Sequence, residues 1–156
     1  MKKERREAIR YLERYVLWEM QVKLIDEQMF ENERLLHSIR DLAREEDGAG
    51  YLTLLASGLK KQKELSLKRM ALNAQRNLIR ETVNLLPPPE RRVIERCFLD
   101  GDCRRASEDL MEELEFEKSH IYRLRERGLD RIAALIGGGD TVFCLPSAEE
   151  SDQDAG

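Results

Sequence analysis

The chain has 156 residues, of which 37% are charged, 41% hydrophobic and only 6% aromatic, with a net charge of −4 at neutral pH. That length holds one ordinary domain or two small ones, and the composition suits long helices with solvated faces rather than a large enzyme core. Mild acidity also excludes a protein that coats nucleic acid by bulk charge, and without a run of 18 apolar residues or a secretion signal after KKERRE a cytoplasmic chain is expected.

Residues 3–46 contain no glycine or proline, which permits one uninterrupted helix. A heptad frame places Ala8, Tyr15, Val22, Met29, Leu36 and Ala43 at one core position. Tyr11, Trp18, Ile25, Asn32 and Ile39 occupy the other. Apolar residues recurring every 3.5 positions are the mark of a coiled coil, and Asn32, the one polar member, is a candidate for fixing register or partner number. Asp47-Gly48-Ala49-Gly50 then breaks the pattern.

A second helix is predicted over 51–86, weakened at Ser57-Gly58, with net charge +5. Leu65, Leu72, Ile79, Val83 and Leu86 form one apolar stripe. Leu67, Ala71, Ala74, Leu78 and Leu85 form another, nearly opposite. One stripe closes a hairpin with the first helix; the other asks for a further partner, so a homodimer is expected. Its coiled-coil core is assigned to Trp18, Val22, Ile25, Met29, Leu36, Ile39, Leu65, Leu72 and Ile79.

Pro87-Pro88-Pro89 ends this helix, and Pro89 with Glu90 suits the start of the next. A short helix over 90–99 should bury Val93, Ile94, Cys97 and Phe98. After a turn at Asp100-Gly101-Asp102, a helix over 106–114 offers Leu110, Met111 and Leu114. A break at Glu115-Phe116-Glu117 leads to a helix over 118–136, with a spine of Ile121, Leu124, Leu129, Ile132 and Leu135. Helix, turn, helix, tight break and longer basic helix make a helix-turn-helix pattern over 87–136. The remainder, 137–156, carries five acidic residues and no basic ones and reads as a disordered acidic tail able to compete with DNA for a basic surface.

The fold expected is therefore all-α: a helical hairpin or coiled coil over 1–86, a helix-turn-helix domain over 87–136 and a tail. The spine of the last helix turns Lys118, Ser119, His120, Tyr122 and Arg123 outward on its first two turns, where a recognition helix meets base edges. Arg91, Arg92, Arg96, Arg104, Arg105 and Arg127 are candidates for phosphate contacts. Against this, Glu108, Asp109, Glu112 and Glu113, followed by Glu115 and Glu117, would repel phosphate; they must turn away or bind a basic protein surface, or the DNA reading is wrong.

The segments LPPPERRVIERCFLDG (86–101) and DLMEELEFEKSHIYRLRERGLDRIAAL (109–135) resemble the C-terminal DNA-binding region of bacterial sigma factors, region 4. They resemble more closely the sigma-like phage regulators of the ArpU and RinA type. The shared features are Leu86-Pro87, the Val93-Ile94 pair, Phe98-Leu99 before Gly101, and Ile121-Tyr122-Arg123-Leu124. The resemblance implies late-gene regulation in a phage or prophage, duplex DNA as partner, contact with RNA polymerase, and base reading by Lys118, Ser119, His120 and Arg123. Two positions depart from the pattern. Glu117 replaces a small hydroxyl cap, and Gly128 stands where alanine is common, which should loosen packing late in the helix.

Other readings are a phage small terminase subunit and a coiled-coil adaptor that binds protein only. No enzyme is expected, because phosphate loops, activated nucleophiles and metal-ligand spacing are absent from the sequence. Cys97, Cys103 and Cys144 lack CxxC spacing, so neither cofactor nor metal is expected.

Overall fold

The computed structural model describes residues 3–45, 49–100 and 105–137. The chain is all-helical across them, with helices α1 (Lys3–Glu45), α2 (Ala49–Asn84), α3 (Pro88–Ile94), α4 (Ala106–Leu114) and α5 (Lys118–Ile136). α1 and α2 pack as a long hairpin. None of the described helices is long and apolar enough to cross a membrane. The turn at Asp100-Gly101-Asp102, Arg104, Cys103, Cys144 and the acidic segment beyond Gly137 lie outside the described residues, except Asp100.

Two compact units divide the chain. One comprises residues 18–75, the distal part of the hairpin; the other joins residues up to 17 with those from 76 onward. The C-terminal unit therefore includes the first turns of α1 and the last turns of α2 in addition to the helices after Leu86.

In the distal unit the heptad residues close the hairpin upon itself. Val22, Ile25, Leu36 and Ile39 are buried, and Trp18, Met29, Leu65 and Leu72 are half-buried. Side chains assigned to a dimer core are thus covered by the chain's own two helices. Asn32 is buried among them, and its Nδ2 donates to the Gly58 carbonyl (2.9 Å) and to Gln62 Oε1 (2.8 Å). An amide that finds both acceptors in only one alignment sets the register of the hairpin within the chain. α2 runs unbroken through Ser57-Gly58, contrary to the weakening expected there. Gly58 earns its place by packing: a Cβ would fall on Leu36, so the missing side chain lets Leu36 rest on the α2 backbone.

The C-terminal unit begins with polar ties between the base of α1 and the end of α2. Tyr11 donates to Thr82 Oγ1 (2.9 Å), and the buried Thr82 hydroxyl donates to the Leu78 carbonyl (2.8 Å). Arg80 donates through Nε and Nη2 to the Tyr15 hydroxyl at 3.0 and 2.8 Å. Burial pushes the Tyr11 phenol above its ordinary range. Leu12, outside both heptad positions, is completely buried, because this end of α1 packs with the C-terminal helices as well as α2.

α2 closes with tightened turns, Leu85 N to Thr82 O and Leu86 N to Val83 O. α3 starts one residue earlier than the sequence suggested: Pro87 caps it and Pro88 takes the first position, where a missing amide costs nothing. The expected helix over 90–99 changes character midway. Glu95–Leu99 form a π-helical turn, in which the Asp100 amide reaches back five residues to the Glu95 carbonyl (3.0 Å). The wider turn buries Leu99 and leaves Cys97 and Phe98 only half-buried, short of the burial expected for them.

Val93, Leu110, Ile121 and Leu124 form the core of the three-helix part, with Cys97, Met111, Leu114 and Phe116 packed around it. Each such buried aliphatic side chain contributes roughly 1.5–3 kcal/mol. Gly128 is buried where α5 crosses α3, and a Cβ there would stand 2.7 Å from Ile94 Cγ1. The glycine therefore permits close helix packing rather than loosening it as the sequence had suggested.

Candidate nucleic-acid interface

The break before α5 is built from three residues with different tasks. Glu115 takes a left-handed conformation (φ 58°, ψ 36°) that terminates α4. Phe116 folds back onto the core. Glu117 is extended (ψ 157°), and its carbonyl accepts the amides of His120 and Ile121, both at 3.0 Å. α5 thus starts at Lys118 without a side-chain cap. The departure at Glu117 removes the hydroxyl cap but not the helix start.

The buried positions Ile121, Leu124, Gly128, Leu129 and Ile132 fix the inward face of α5. Lys118, Ser119, Tyr122 and Arg123 consequently stand exposed on the first two turns, Tyr122 at 60%. His120 is half-buried, and its ring meets the edge of Phe116 with centroids 4.4 Å apart. Four of the five residues assigned to base reading share one open surface; the fifth is held by an aromatic contact at its margin. Beneath this surface lies a recess of about 520 Å3, lined by Cys97, Ser107, Ile121 and Arg125 as well as Lys118, Ser119, Tyr122 and Arg123. Arg125 is turned inward, its guanidinium 5.2 Å from the Phe98 ring centroid.

The arginines assigned to phosphate divide into two groups. Arg92 donates through Nε and Nη2 to both Glu113 carboxylate oxygens (2.7 and 3.0 Å) and lies near Asp100 and Glu95. Hydrogen bonding to Arg92 holds the Glu113 carboxyl below its ordinary range, and the same contact raises the Arg92 guanidinium. Arg96 Nη2 pairs with Asp109 at 2.5 Å. These two arginines fasten α3 and the π-helical turn to α4, so both guanidinium groups assigned to phosphate are engaged by carboxylates of their own domain. The same pairs engage two of the four α4 carboxylates, whereas Glu112, Glu115 and Glu117 have no ion pair among the described residues. Arg91 and Arg127 have no ion pair among the described residues, and Arg105 pairs loosely with Glu108 (3.5 Å).

Arg5 has no counterpart in the sequence reading. Ser119, Arg123, Glu126 and Asp130 follow one another by four, three and four residues along one face of α5, so two carboxylates continue the line of the reading residues. Arg5, from the first turns of α1, pairs with Glu126 and grips Asp130 through Nε and Nη2 at 2.7 and 2.9 Å. These contacts span more than 120 residues of sequence, and nothing in either local segment signals them. Farther along, Arg131 closes on the buried Glu90 (2.6 Å). Glu126, Asp130 and Glu90 are thus paired within the unit, while Glu117 beside the reading turns, like Lys118, Arg123 and Arg127, has no ion pair among the described residues. No family model, curated protein or solved structure matches the chain.

Proposed function

We propose that this chain is a sequence-specific duplex-DNA-binding transcription regulator of the phage or prophage type, which reads the major groove through the first two turns of α5. The observation that carries the reading is charge selection at that surface. Lys118 and Arg123 stand open beside Tyr122 and Ser119, whereas Asp109, Glu113, Glu126 and Asp130 are held by Arg96, Arg92 and Arg5.

Arg123 suits bidentate recognition of guanine, Lys118 and Ser119 a base edge or phosphate, and Tyr122 apolar contact with a thymine methyl. Arg91, Arg105 and Arg127 serve the phosphate backbone. RNA polymerase is the protein partner that the sigma-like resemblance adds.

The test is selection of bound duplexes from a random pool, followed by titration of the chosen site at several salt concentrations. Three phosphate contacts give a log–log slope of about −3, and Arg127→Ala should lower it by about one. Arg123→Ala should cost roughly 1–3 kcal/mol and relax preference at one base pair. No duplex binding at low salt refutes the proposal.

A further inference from the structure

The distal unit leaves two apolar faces open. On α1, Met20, Leu24, Leu35 and Leu42 are exposed at spacings of four, eleven and seven residues, each close to a whole number of helical turns. On α2, Leu52, Leu59, Leu67 and Met70 are exposed, and with Ala56, Lys63 and Ala74 they follow one another at spacings of three and four. The eight large side chains are between 40% and 63% exposed.

Each line is interrupted by charge, and the signs are opposite. Glu27 and Glu31 fill the α1 line between Leu24 and Leu35; Lys60 and Lys63 fill the α2 line between Leu59 and Leu67. None of the four has an ion pair among the described residues. The flanking charge agrees, since residues 18–45 sum to −3 and residues 49–75 to +4.

We infer that the α2 face of one copy docks on the α1 face of a second copy, antiparallel, with Glu31 opposite Lys63. In that register Leu24 meets Met70, Leu35 meets Leu59, Leu42 meets Leu52, and Met20 meets Ala74, because the residues lie at matching offsets of seven, four, eleven and eleven from the central pair. Glu31–Lys63 is the opposed ion pair, with Glu27 across from Leu67 and Lys60 from Arg34. Pairing α2 with α2 about Lys63 would oppose lysines, and pairing α1 with α1 about Glu31 would oppose glutamates. Charge therefore selects the mixed arrangement. The contact joins unlike faces: it closes a two-fold dimer where both faces of one copy meet the same partner, and extends to a ring or open chain where they meet different ones.

Sedimentation of the full chain tests this with two exposed charge reversals, their helicity checked by circular dichroism. Glu31→Lys and Lys63→Glu each place like charges across the interface and should weaken self-association by roughly tenfold. An equimolar mixture restores opposite charges at both junctions and should recover the wild-type association. A wild-type chain that stays monomeric at tens of micromolar overturns the inference, whether or not it floats with anionic lipid vesicles. So does Lys63→Glu associating as well as wild type, or a mixture that gains nothing over either variant alone.

Discussion

Replacing Gly128 by alanine pits two effects of known size against each other. Alanine in a helix interior is favoured over glycine by about 1 kcal/mol, because the unfolded glycine has more conformations to lose. The new methyl would stand 2.7 Å from Ile94 Cγ1 and 2.9 Å from its Cδ1, against an ordinary carbon–carbon contact of about 3.5–4.0 Å. Ile94 is completely buried, so the overlap is relieved only by pressing its side chain into its neighbours or by lifting α5 from α3 by several tenths of an ångström. Overpacking of this kind costs roughly 1–3 kcal/mol, leaving Gly128→Ala less stable by about 1 kcal/mol after the helix-forming gain.

Urea unfolding of the full chain reads the difference as a lower midpoint at unchanged slope. Ile94→Val alone should cost about 0.5–1.5 kcal/mol, but the double variant should be more stable than the sum of the two, since the smaller side chain admits the methyl. Gly50→Ala is the control, because nothing lies within 4 Å of that position and the change should be neutral or slightly stabilising. If Gly128→Ala raises stability as far as propensity alone allows, α3 and α5 do not approach as described and the packing argument fails.

Three further outcomes follow from other contacts. Asn32→Asp should destabilise the hairpin by roughly 2–4 kcal/mol in thermal or urea unfolding, because a carboxylate would face the Gly58 carbonyl with no N–H to offer; Asn32→Leu should cost distinctly less. Glu115→Gly should stabilise the chain by about 1 kcal/mol, since the residue holds a left-handed backbone that glycine adopts without strain, and an unchanged midpoint would contradict that. Tyr11 ionises less readily folded than unfolded, so its contribution is complete below pH of about 10 and is lost as pH rises toward the raised folded value. Stability should therefore fall on the alkaline side, and Tyr11→Phe should flatten that limb.

The candidate site was partly legible in the sequence, for reasons that differ among residues. Lys118, Ser119, Tyr122 and Arg123 follow from helical geometry alone, because a spine at Ile121, Leu124 and Leu129 leaves only one face for its neighbours. Arg92 and Arg96 could not be sorted from Arg91 and Arg127 in the same way. Every arginine on a short helix is cationic, and only the position of α4 decides which ones meet Glu113 and Asp109. Gly128 shows the reverse error: a glycine where the resembled pattern has alanine was expected to loosen packing, yet Ile94 beside it makes the missing side chain a condition of close packing.

Local order came from the amino-acid sequence itself: five helices, the three-residue break at Glu115–Glu117, and the buried spines of α1 and α5 all follow from period and punctuation, which act over a few residues. Tertiary structure decided which charges remain open and which are matched. It brought Arg5 to Glu126 and Asp130, joined the two ends of the hairpin to the C-terminal helices, and turned two apolar lines outward. Periodicity can say that a helix has a face. What that face meets depends on segments far away in the chain, whose approach is set by packing as a whole.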